Sequence, residues 1–265
     1  MVLKMIDRFF IRWCVVLTVI VYITSSDAQA KIRNRLPGAI SAEVLPSIVA
    51  IRAETSQIYR DKPSAVMVPK KGIVILQRFK AARASKAGMG VIVTDDGLIV
   101  TNEHTVSGVN DVSVIMYDGR EFSGKVVWRF AKEDFALISI TSKEKLKPIR
   151  FSDPNSVKGA RRVFAIVAKV AKDEIVMAAL PGKIVSVTKN VFWPETKTVF
   201  AEVVETDIHL YYGASGGPLI TPGGHLVGVV ESGYLLKNKS FAISSNRINA
   251  LVRTYLKKKN TQAAR

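Results

Sequence analysis

The run Gly213-Ala214-Ser215-Gly216-Gly217-Pro218 constrains this 265-residue chain more than any other stretch. Glycines around Ser215 permit a tight turn, because glycine lacks the Cβ that excludes positive φ. Such a turn exposes the serine hydroxyl and lets a substrate carbonyl approach. The N–H groups of Gly213 and Ser215, with Ala214 between them, can then form an oxyanion hole. The alternative is a glycine-rich hairpin with an incidental serine.

Two other stretches supply the partners that a nucleophilic serine needs. Serine is weakly nucleophilic at neutral pH and requires a base within hydrogen-bond reach, itself oriented by a third group. His104 follows one apolar run, and Asp134 precedes another. The chain order His104, Asp134, Ser215 is one of the orders in which this catalytic triad occurs. A lone histidine at a strand end is more often structural, but the three motifs together favour a triad.

Four blocks resemble the trypsin-like protease domain of the HtrA (Deg) family. They are residues 88–104, which lead to the histidine, 118–122, 205–207 before the serine, and 241–243 before the last helix. The resemblance covers roughly residues 43–256. It implies an all-β fold of two six-stranded antiparallel β-barrels of the trypsin/chymotrypsin type with a C-terminal helix. It also implies a protease module without the PDZ domain that often follows in this family.

The resemblance assigns further residues to a substrate pocket: His209, Leu210, Tyr211 and Glu231. None of the three residues from His209 to Tyr211 is an acid that would pair with a substrate Lys or Arg. Leu210 matches a family position that favours small or medium aliphatic side chains, so the resemblance implies cleavage after such residues. The alternative is that His209 recognises an acidic substrate residue. Several positions depart from the family pattern, and two of them concern the site directly. Ala214 stands where Asn is usual. Glu231 stands in a segment whose hydroxyl normally supports the catalytic aspartate, and a second carboxylate there would repel the first.

Composition narrows the chemistry and the partners. Three histidines and the single cysteine Cys14 form no spaced ligand cluster, so no metal and no other cofactor is predicted. The formal net charge of +17 indicates a possible anionic surface as a partner. The Lys257–Lys259 run is more typical of a helix C-terminus than of a nucleic-acid site, so no specific nucleic-acid partner is expected.

Residues 1–30 are typical of an export signal. A basic start precedes an apolar run from Trp13 to Ile23, and Ala28-Gln29-Ala30 offers a cleavage site. The alternative is an uncleaved membrane anchor, although the run is short for a membrane span. The protein is therefore expected to be periplasmic or secreted. Residues 31–42 form a basic lead-in; the resemblance implies a homotrimer through this segment, with a monomer as the alternative.

The remaining chain divides by its strand and turn signals. A first barrel is predicted over 43–142, with a long inserted loop at 53–87. A linker over 143–157 leads to a second barrel over 158–245, and a helix with a basic tail occupies 246–265.

Two function classes remain open from the sequence. The first is an exported serine endopeptidase that cleaves unfolded or misfolded proteins through an acyl-enzyme. The second is a catalytically weak relative that binds peptides or an anionic surface.

Overall fold

The computed structural model describes residues 43–60, 64–68, 72–76, 79–157, 161–170, 175–193, 198–210, 214–234 and 239–263. The predicted export segment at 1–30 and the basic lead-in at 31–42 lie outside the described residues. So do Tyr211 and Gly213, which were assigned to the pocket and the oxyanion hole.

The first half of the chain forms a closed barrel with the strand order β1-β4-β5-β8-β7-β6. A separate two-stranded sheet pairs β2 with β3, and a short helix α1 follows β5. The elements are β1 (Ile48–Arg60), β2 (Ser64–Val68), β3 (Gly72–Leu76), β4 (Phe79–Ile92), β5 (Leu98–Thr101), α1 (Glu103–Val106), β6 (Asp111–Met116), β7 (Glu121–Phe130) and β8 (Phe135–Ile140).

The second half forms another closed barrel, with the order β10-β11-β14-β13-β12-β9, followed by a helix. Its elements are β9 (Arg162–Val170), β10 (Ile175–Trp193), β11 (Thr198–Thr206), β12 (Pro218–Ile220), β13 (Leu226–Tyr234), β14 (Lys239–Ser244) and α2 (Ser245–Ala263). All ladders within the two barrels are antiparallel. The predicted fold of two six-stranded antiparallel barrels with a C-terminal helix is confirmed.

Apolar side chains fill each barrel and also the seam between them. Side chains such as Ile99 and Ile138 form the first interior, and Ala165 and Val204 belong to the second. A third cluster contains buried residues of both barrels and of α2. Its fully buried members include Ile48, Met89, Phe135, Leu137, Ile166, Ile220, Val229 and Ile248. The barrels therefore share a continuous apolar interface, which fixes their relative position.

The stretch 53–87 differs from the predicted inserted loop. β1 and β4 stay paired from Ile48 opposite Val91 to Arg60 opposite Phe79, so the two strands extend far beyond the barrel as a hairpin. β2 and β3 occupy part of the connection. The expectation failed because backbone hydrogen bonds hold a ladder without requiring an apolar face. A polar, basic sequence therefore gave no strand signal.

A second difference concerns β10. The sequence predicts separate strands over residues 174–179 and 182–188, but β10 runs through the break at Leu180-Pro181. Its first part pairs with β9 and its second part with β11. Gly182 is needed for close packing, because a Cβ there would lie 2.3 Å from Cγ1 of Ile208. The glycine thus marks a tight contact within a strand.

Helix α2 carries the predicted apolar stripe. Ile248, Leu251 and Val252 are buried, and Tyr255 and Leu256 pack against the same cluster. The sequence suggests Ser245 as the N-cap of this helix, but that prediction is wrong, because the helix begins at Ser245 and Ser244 is the capping residue. Ser244 Oγ accepts the N–H of Asn246 at 3.1 Å, whereas the Ser245 hydroxyl donates to the carbonyl of Ser152. Within the described part of the chain, no helix is long and apolar enough to cross a membrane.

Two glycines with positive φ offer a matched test of packing. Gly97 has φ of 97°, and a Cβ there would lie 2.5 Å from the carbonyl oxygen of Ile140. Gly119 has φ of 88°, but its Cβ would meet nothing within 4 Å. Gly119→Ala should lower the free energy of unfolding by about 1 kcal/mol, through backbone strain alone. Gly97→Ala should cost about 1–3 kcal/mol more, because overpacking adds to that strain.

Urea unfolding, followed by circular dichroism, measures both values. Equal losses for the two variants would contradict the predicted contact at Gly97.

Candidate active site

His104 lies in α1, immediately after the buried strand β5. Three hydrogen bonds tie the start of this helix to Asp134. The N–H of Glu103 and the side-chain amide of Asn102 both donate to the Asp134 carbonyl, at 3.1 and 3.2 Å. The N–H of His104 donates to Oδ1 of Asp134 at 2.8 Å. The helix is therefore fixed to the segment that carries the carboxylate.

The Asp134 carboxylate holds the imidazole through its other oxygen. Nδ1 of His104 lies 2.7 Å from Oδ2 of Asp134. With an ionised carboxylate, this contact places the proton on Nδ1 and leaves Nε2 as the basic nitrogen. Asp134 itself has φ of 48° and ψ of 46°, a left-handed conformation that follows the 3₁₀ turn Ala131–Glu133. This backbone conformation brings one carboxylate to both the amide and the ring of His104.

Ser215 lies on a turn that both barrels enclose. The N–H of Met89 on β4 donates to the Ser215 carbonyl at 2.9 Å, and the N–H of Gly216 donates to Val230 on β13. A Cβ at Gly216 would lie 1.9 Å from the Met89 carbonyl oxygen, and Gly216 has φ of 79°. A Cβ at Gly217 would lie 2.3 Å from the Ile166 carbonyl. The glycines that the sequence singled out are therefore required by the close approach of two strands.

The serine turn also adjoins helix α1. A Cβ built on Gly88 would lie 2.6 Å from the side chain of Thr105 and 3.3 Å from the Ser215 carbonyl oxygen. Thr105 is the residue after His104. The structure thus brings the histidine helix and the serine turn together at Gly88, with the histidine on one barrel and the serine on the other.

The hydroxyl and the amide of Ser215 differ in their partners. The hydroxyl donates to the carbonyl of Glu231 at 3.4 Å, a long hydrogen bond. The N–H groups of Gly216 and Gly217 donate to backbone carbonyls. Among the described residues, the N–H of Ser215 has no acceptor. This amide is therefore available to an incoming oxygen. In uncomplexed sites, catalytic hydrogen bonds are often long and shorten only when substrate binds.

Glu231 is the extra residue of a β-bulge. The register of β13 against β14 shifts between Val230 and Ser232, which places Glu231 at the bulge. Bulges next to active sites commonly redirect a side chain. Here the backbone carbonyl meets the serine, and the carboxylate acts electrostatically on His104.

The other predicted pocket residues have different settings. His209 is exposed, whereas Leu210 is buried in the interior of the second barrel. Glu231 is half-buried. Ala214 is buried in the same interior as Leu210, which favours a small apolar side chain at this position.

Lys86 contributes to the site and was missed in the sequence. Its Nζ donates to the carbonyls of His104 and Ser107, at 3.3 and 3.2 Å, and so caps the end of α1. The sequence placed Lys86 in a loop of many cations, and no local pattern separated it from the rest. The pairing of β4 with β1 is what fixes its position.

Several charges set the protonation of His104. Burial is the largest influence and on its own would lower the pKa of the imidazole. The hydrogen bond and charge of Asp134, together with the charge of Glu231, outweigh burial, while Lys86 opposes them. The net result is that the pKa of His104 is raised above its ordinary value of 6.5. The imidazole of His104 therefore binds a proton more readily than a histidine with an ordinary pKa.

Two barrels that meet at a histidine–aspartate pair and a serine turn define the class of trypsin-like proteins. Residues 88–229 match the family described as Trypsin-like peptidase domain. The chain belongs to this family.

Curated relatives carry HtrA-type names. The chain is 31% identical over 216 residues to the magnetosome formation protease MamE of Magnetospirillum gryphiswaldense, covering 76% of this chain and 26% of that protein. It is 31% identical over 165 residues to the serine protease Do-like HtrB of Bacillus subtilis, covering 60% and 35%. Serine protease HTRA1 of Xenopus laevis is 29% identical, with 66% and 37% covered. The chain thus spans between about a quarter and two fifths of the length of these relatives.

A solved structure agrees in fold. The HtrA-type protease AlgW, with a serine-to-alanine substitution and a decapeptide, matches with a TM-score of 0.64 and 18% identity. The match covers 89% of this chain and 67% of that one. The predicted resemblance to the HtrA family is confirmed.

The charges around His104 predict how activity depends on pH. A general base must be neutral to accept a proton, so activity falls as pH drops through its pKa. Glu231→Gln removes a charge that raises the pKa of His104, so the acidic limb of the kcat/KM profile should move to lower pH. Lys86→Gln removes an opposing charge and should move that limb to higher pH. Glu144→Gln changes an exposed carboxylate that pairs with Arg120 and serves as the control.

Profiles of kcat/KM against pH at constant ionic strength measure the three midpoints. A shift toward higher pH in Glu231→Gln would show that this carboxylate does not stabilise the imidazolium.

Proposed function

We propose that this chain is a serine endopeptidase in which His104, Asp134 and Ser215 form the catalytic triad. The observation that carries the proposal is the two-point contact of the Asp134 carboxylate with the amide and Nδ1 of His104, at 2.8 and 2.7 Å, next to the glycine-bounded serine turn. This is the arrangement that orients a histidine as the base for a serine.

The proposed reaction uses these three side chains in turn. Nε2 of His104 takes the proton of the Ser215 hydroxyl as the oxygen attacks a peptide carbonyl. The resulting imidazolium is stabilised by Asp134 and then gives the proton to the leaving amine. Water, activated by the same imidazole, hydrolyses the acyl-enzyme and regenerates the serine. The Ser215 hydroxyl must first leave the Glu231 carbonyl, and a 3.4 Å hydrogen bond is easily exchanged.

The oxyanion of the tetrahedral intermediate needs preorganised donors. The Ser215 N–H is available and is fixed by a turn in which Gly216 and Gly217 are both hydrogen-bonded. We assign the second donor to Gly213, on the sequence argument alone. Removing one such donor typically costs about 10²–10³-fold in kcat, so the rigidity of this turn is part of the catalytic machinery.

Unfolded polypeptide is the proposed substrate. The names of the relatives identify serine proteases, and the AlgW structure holds a decapeptide. We expect an extended peptide to bind where the two barrels meet, because His104 and Asp134 belong to the first barrel and Ser215 to the second. Relatives named as probable periplasmic endoproteases, from Halomonas elongata and a Marinomonas species, support an exported location. We propose export on the N-terminal sequence pattern and on these relatives.

Ser215→Ala and His104→Ala should each reduce casein hydrolysis by at least about 10⁴-fold, and the double variant should be little worse, because the triad acts as a unit. Asp134→Asn should cost about 10⁴-fold, since an asparagine no longer fixes the required tautomer. A fluorophosphonate should label the wild type and fail to label Ser215→Ala. Circular dichroism serves as the fold control, and Ser156→Ala, an exposed serine on the segment between the barrels, is the matched variant.

Casein cleavage that persists in Ser215→Ala would assign the activity to another residue or a contaminant. A wild type that neither cleaves nor labels would replace the protease proposal with the peptide- or surface-binding one.

Specificity provides a separate test. The pocket residues that the resemblance assigns before the serine, His209, Leu210 and Tyr211, include no acid, and Leu210 matches a family position that favours aliphatic side chains, so we propose cleavage after Val, Ala or Leu. A peptide library should give these residues at the bond cut, and His209→Gln should leave the preference unchanged. Cleavage mainly after Lys or Arg would point to an acidic pocket residue. Cleavage after Asp or Glu that is lost in His209→Gln would assign recognition to that histidine.

A further inference from the structure

The residue before the catalytic aspartate carries a buried charge that the triad does not use. Glu133 is 5% exposed, and Arg247 on α2 reaches its carboxylate with two donors. Nε of Arg247 lies 2.8 Å from Oε2, and Nη2 lies 2.5 Å from Oε1. The N–H of Ala201 on β11 also donates to Oε2, at 3.4 Å. The two-donor geometry matches the planar guanidinium to the carboxylate and fixes both in orientation.

This contact joins two different parts of the molecule. Glu133 lies in the 3₁₀ turn between β7 and β8 of the first barrel. Arg247 lies in the first turn of α2, a helix whose buried side chains pack with the second barrel. Aromatic contacts run alongside. The guanidinium of Arg247 lies 6.0 Å from the ring of Phe130, and Tyr255 stacks on Trp128. Helix α2 therefore docks on the segment that leads into Asp134.

The backbone of Asp134 needs such support. Its left-handed conformation is disfavoured for a residue with a Cβ, and such conformations persist where surrounding contacts impose them. The N–H of Asp134 donates to the carbonyl of Ala131, three residues earlier, at 3.2 Å, and α1 holds the carbonyl and the carboxylate of Asp134. On the other side, the preceding residue Glu133 has its side chain fixed from α2 and from β11. The backbone that leads into the strained residue is thus anchored in the other barrel.

We propose that Glu133 and Arg247 form a positioning pair that holds Asp134 in the conformation in which its carboxylate meets His104. The proposal rests on the protease function proposed above. It makes the catalytic geometry depend on the docking of α2, so the helix contributes to the reaction without touching substrate. Nothing in the triad motifs encodes this dependence, because Arg247 lies more than a hundred residues from Asp134 in the sequence.

The alternative is that the pair only joins the barrels and stabilises the fold. The titration of His104 separates the two roles. The charged groups near the imidazole are Asp134, Glu231 on β13 and Lys86 on β4, and the adjacent Glu103 pairs with Arg129 on β7. The hydrogen bond to Asp134 raises the pKa of His104, so a displaced Asp134 must lower it. A pair with a purely structural role would leave this pKa unchanged.

The experiment compares Glu133→Gln and Arg247→Gln in the full chain. NMR follows the imidazole of His104 against pH, and the loss of its signal in His104→Gln identifies it among three histidines. If the pair positions Asp134, both variants lower the pKa of His104, although one removes a negative charge and the other a positive one. If charge alone acts, Glu133→Gln lowers the pKa and Arg247→Gln raises it. Opposite shifts, or no shift in either variant, would overturn the proposal.

Two further variants serve as controls. Arg247→Lys keeps the charge but loses the two-donor geometry, so it should give a shift in the same direction but smaller. If either glutamine variant fails to fold, the pKa of His104 can still be measured in Arg247→Lys. Glu43→Gln removes a carboxylate that pairs with Lys147 and Arg150 at an exposed site, and it should leave the titration of His104 unchanged.

Kinetics give the second readout. A displaced Asp134 should reduce kcat by about 10- to 100-fold with little change in KM, because substrate binding does not use the aspartate. The NMR titration requires no turnover. A wild type without protease activity would therefore refute the proposed function and still leave the positioning of His104 by the pair open to measurement. If the variants instead raise KM and leave kcat unchanged, the pair acts in substrate binding and the proposal is rejected.

Discussion

The hydrogen bond from the Met89 amide to the Ser215 carbonyl joins a strand of the first barrel directly to the serine turn of the second. The contact is possible only because Gly216 and Gly217 bring their backbone against Met89 and Ile166, at distances that a Cβ would not allow. The Met89 carbonyl also accepts the Thr101 hydroxyl at 2.8 Å, three residues before His104. One strand of the first barrel thus holds the segments that carry both the histidine and the serine. The relative position of these two residues depends on barrel packing more than on either loop.

Much of the fold followed from local patterns. Short apolar runs indicate the strands, and the glycine turns at Asp95–Gly97 and Asp118–Gly119 indicate hairpins. The apolar stripe on α2 has the helical period. Polar ladders have no such signal. The long β1–β4 hairpin therefore appeared as a loop, and β10 was divided at Pro181. In both cases pairing with another strand determines the conformation. The composition of β1 and β4 does not mark them as strands, and β10 is held by β9 and β11.

The site shows the same limit. His104, Asp134 and Ser215 stand in motifs that can be recognised one by one, and their pairing follows from chemistry. Lys86, Glu133 and Arg247 stand in no motif, because their roles arise from contacts across 18 to 114 positions of the chain. Glu231 was noted as a departure, but its bulge could not be inferred. The two charges that flank His104, negative from β13 and positive from β4, are set by topology alone.

The segment 143–157 lies between the two barrels in the sequence, with His104 and Asp134 before it and Ser215 after it. It hydrogen-bonds to Ile92 of the first barrel and to Leu226 of the second. Each half of the chain therefore holds only part of the proposed triad. A break of the chain within this segment would give two complementary fragments, each lacking part of the triad. Any activity recovered on mixing them would therefore show directly that the fragments had reassembled.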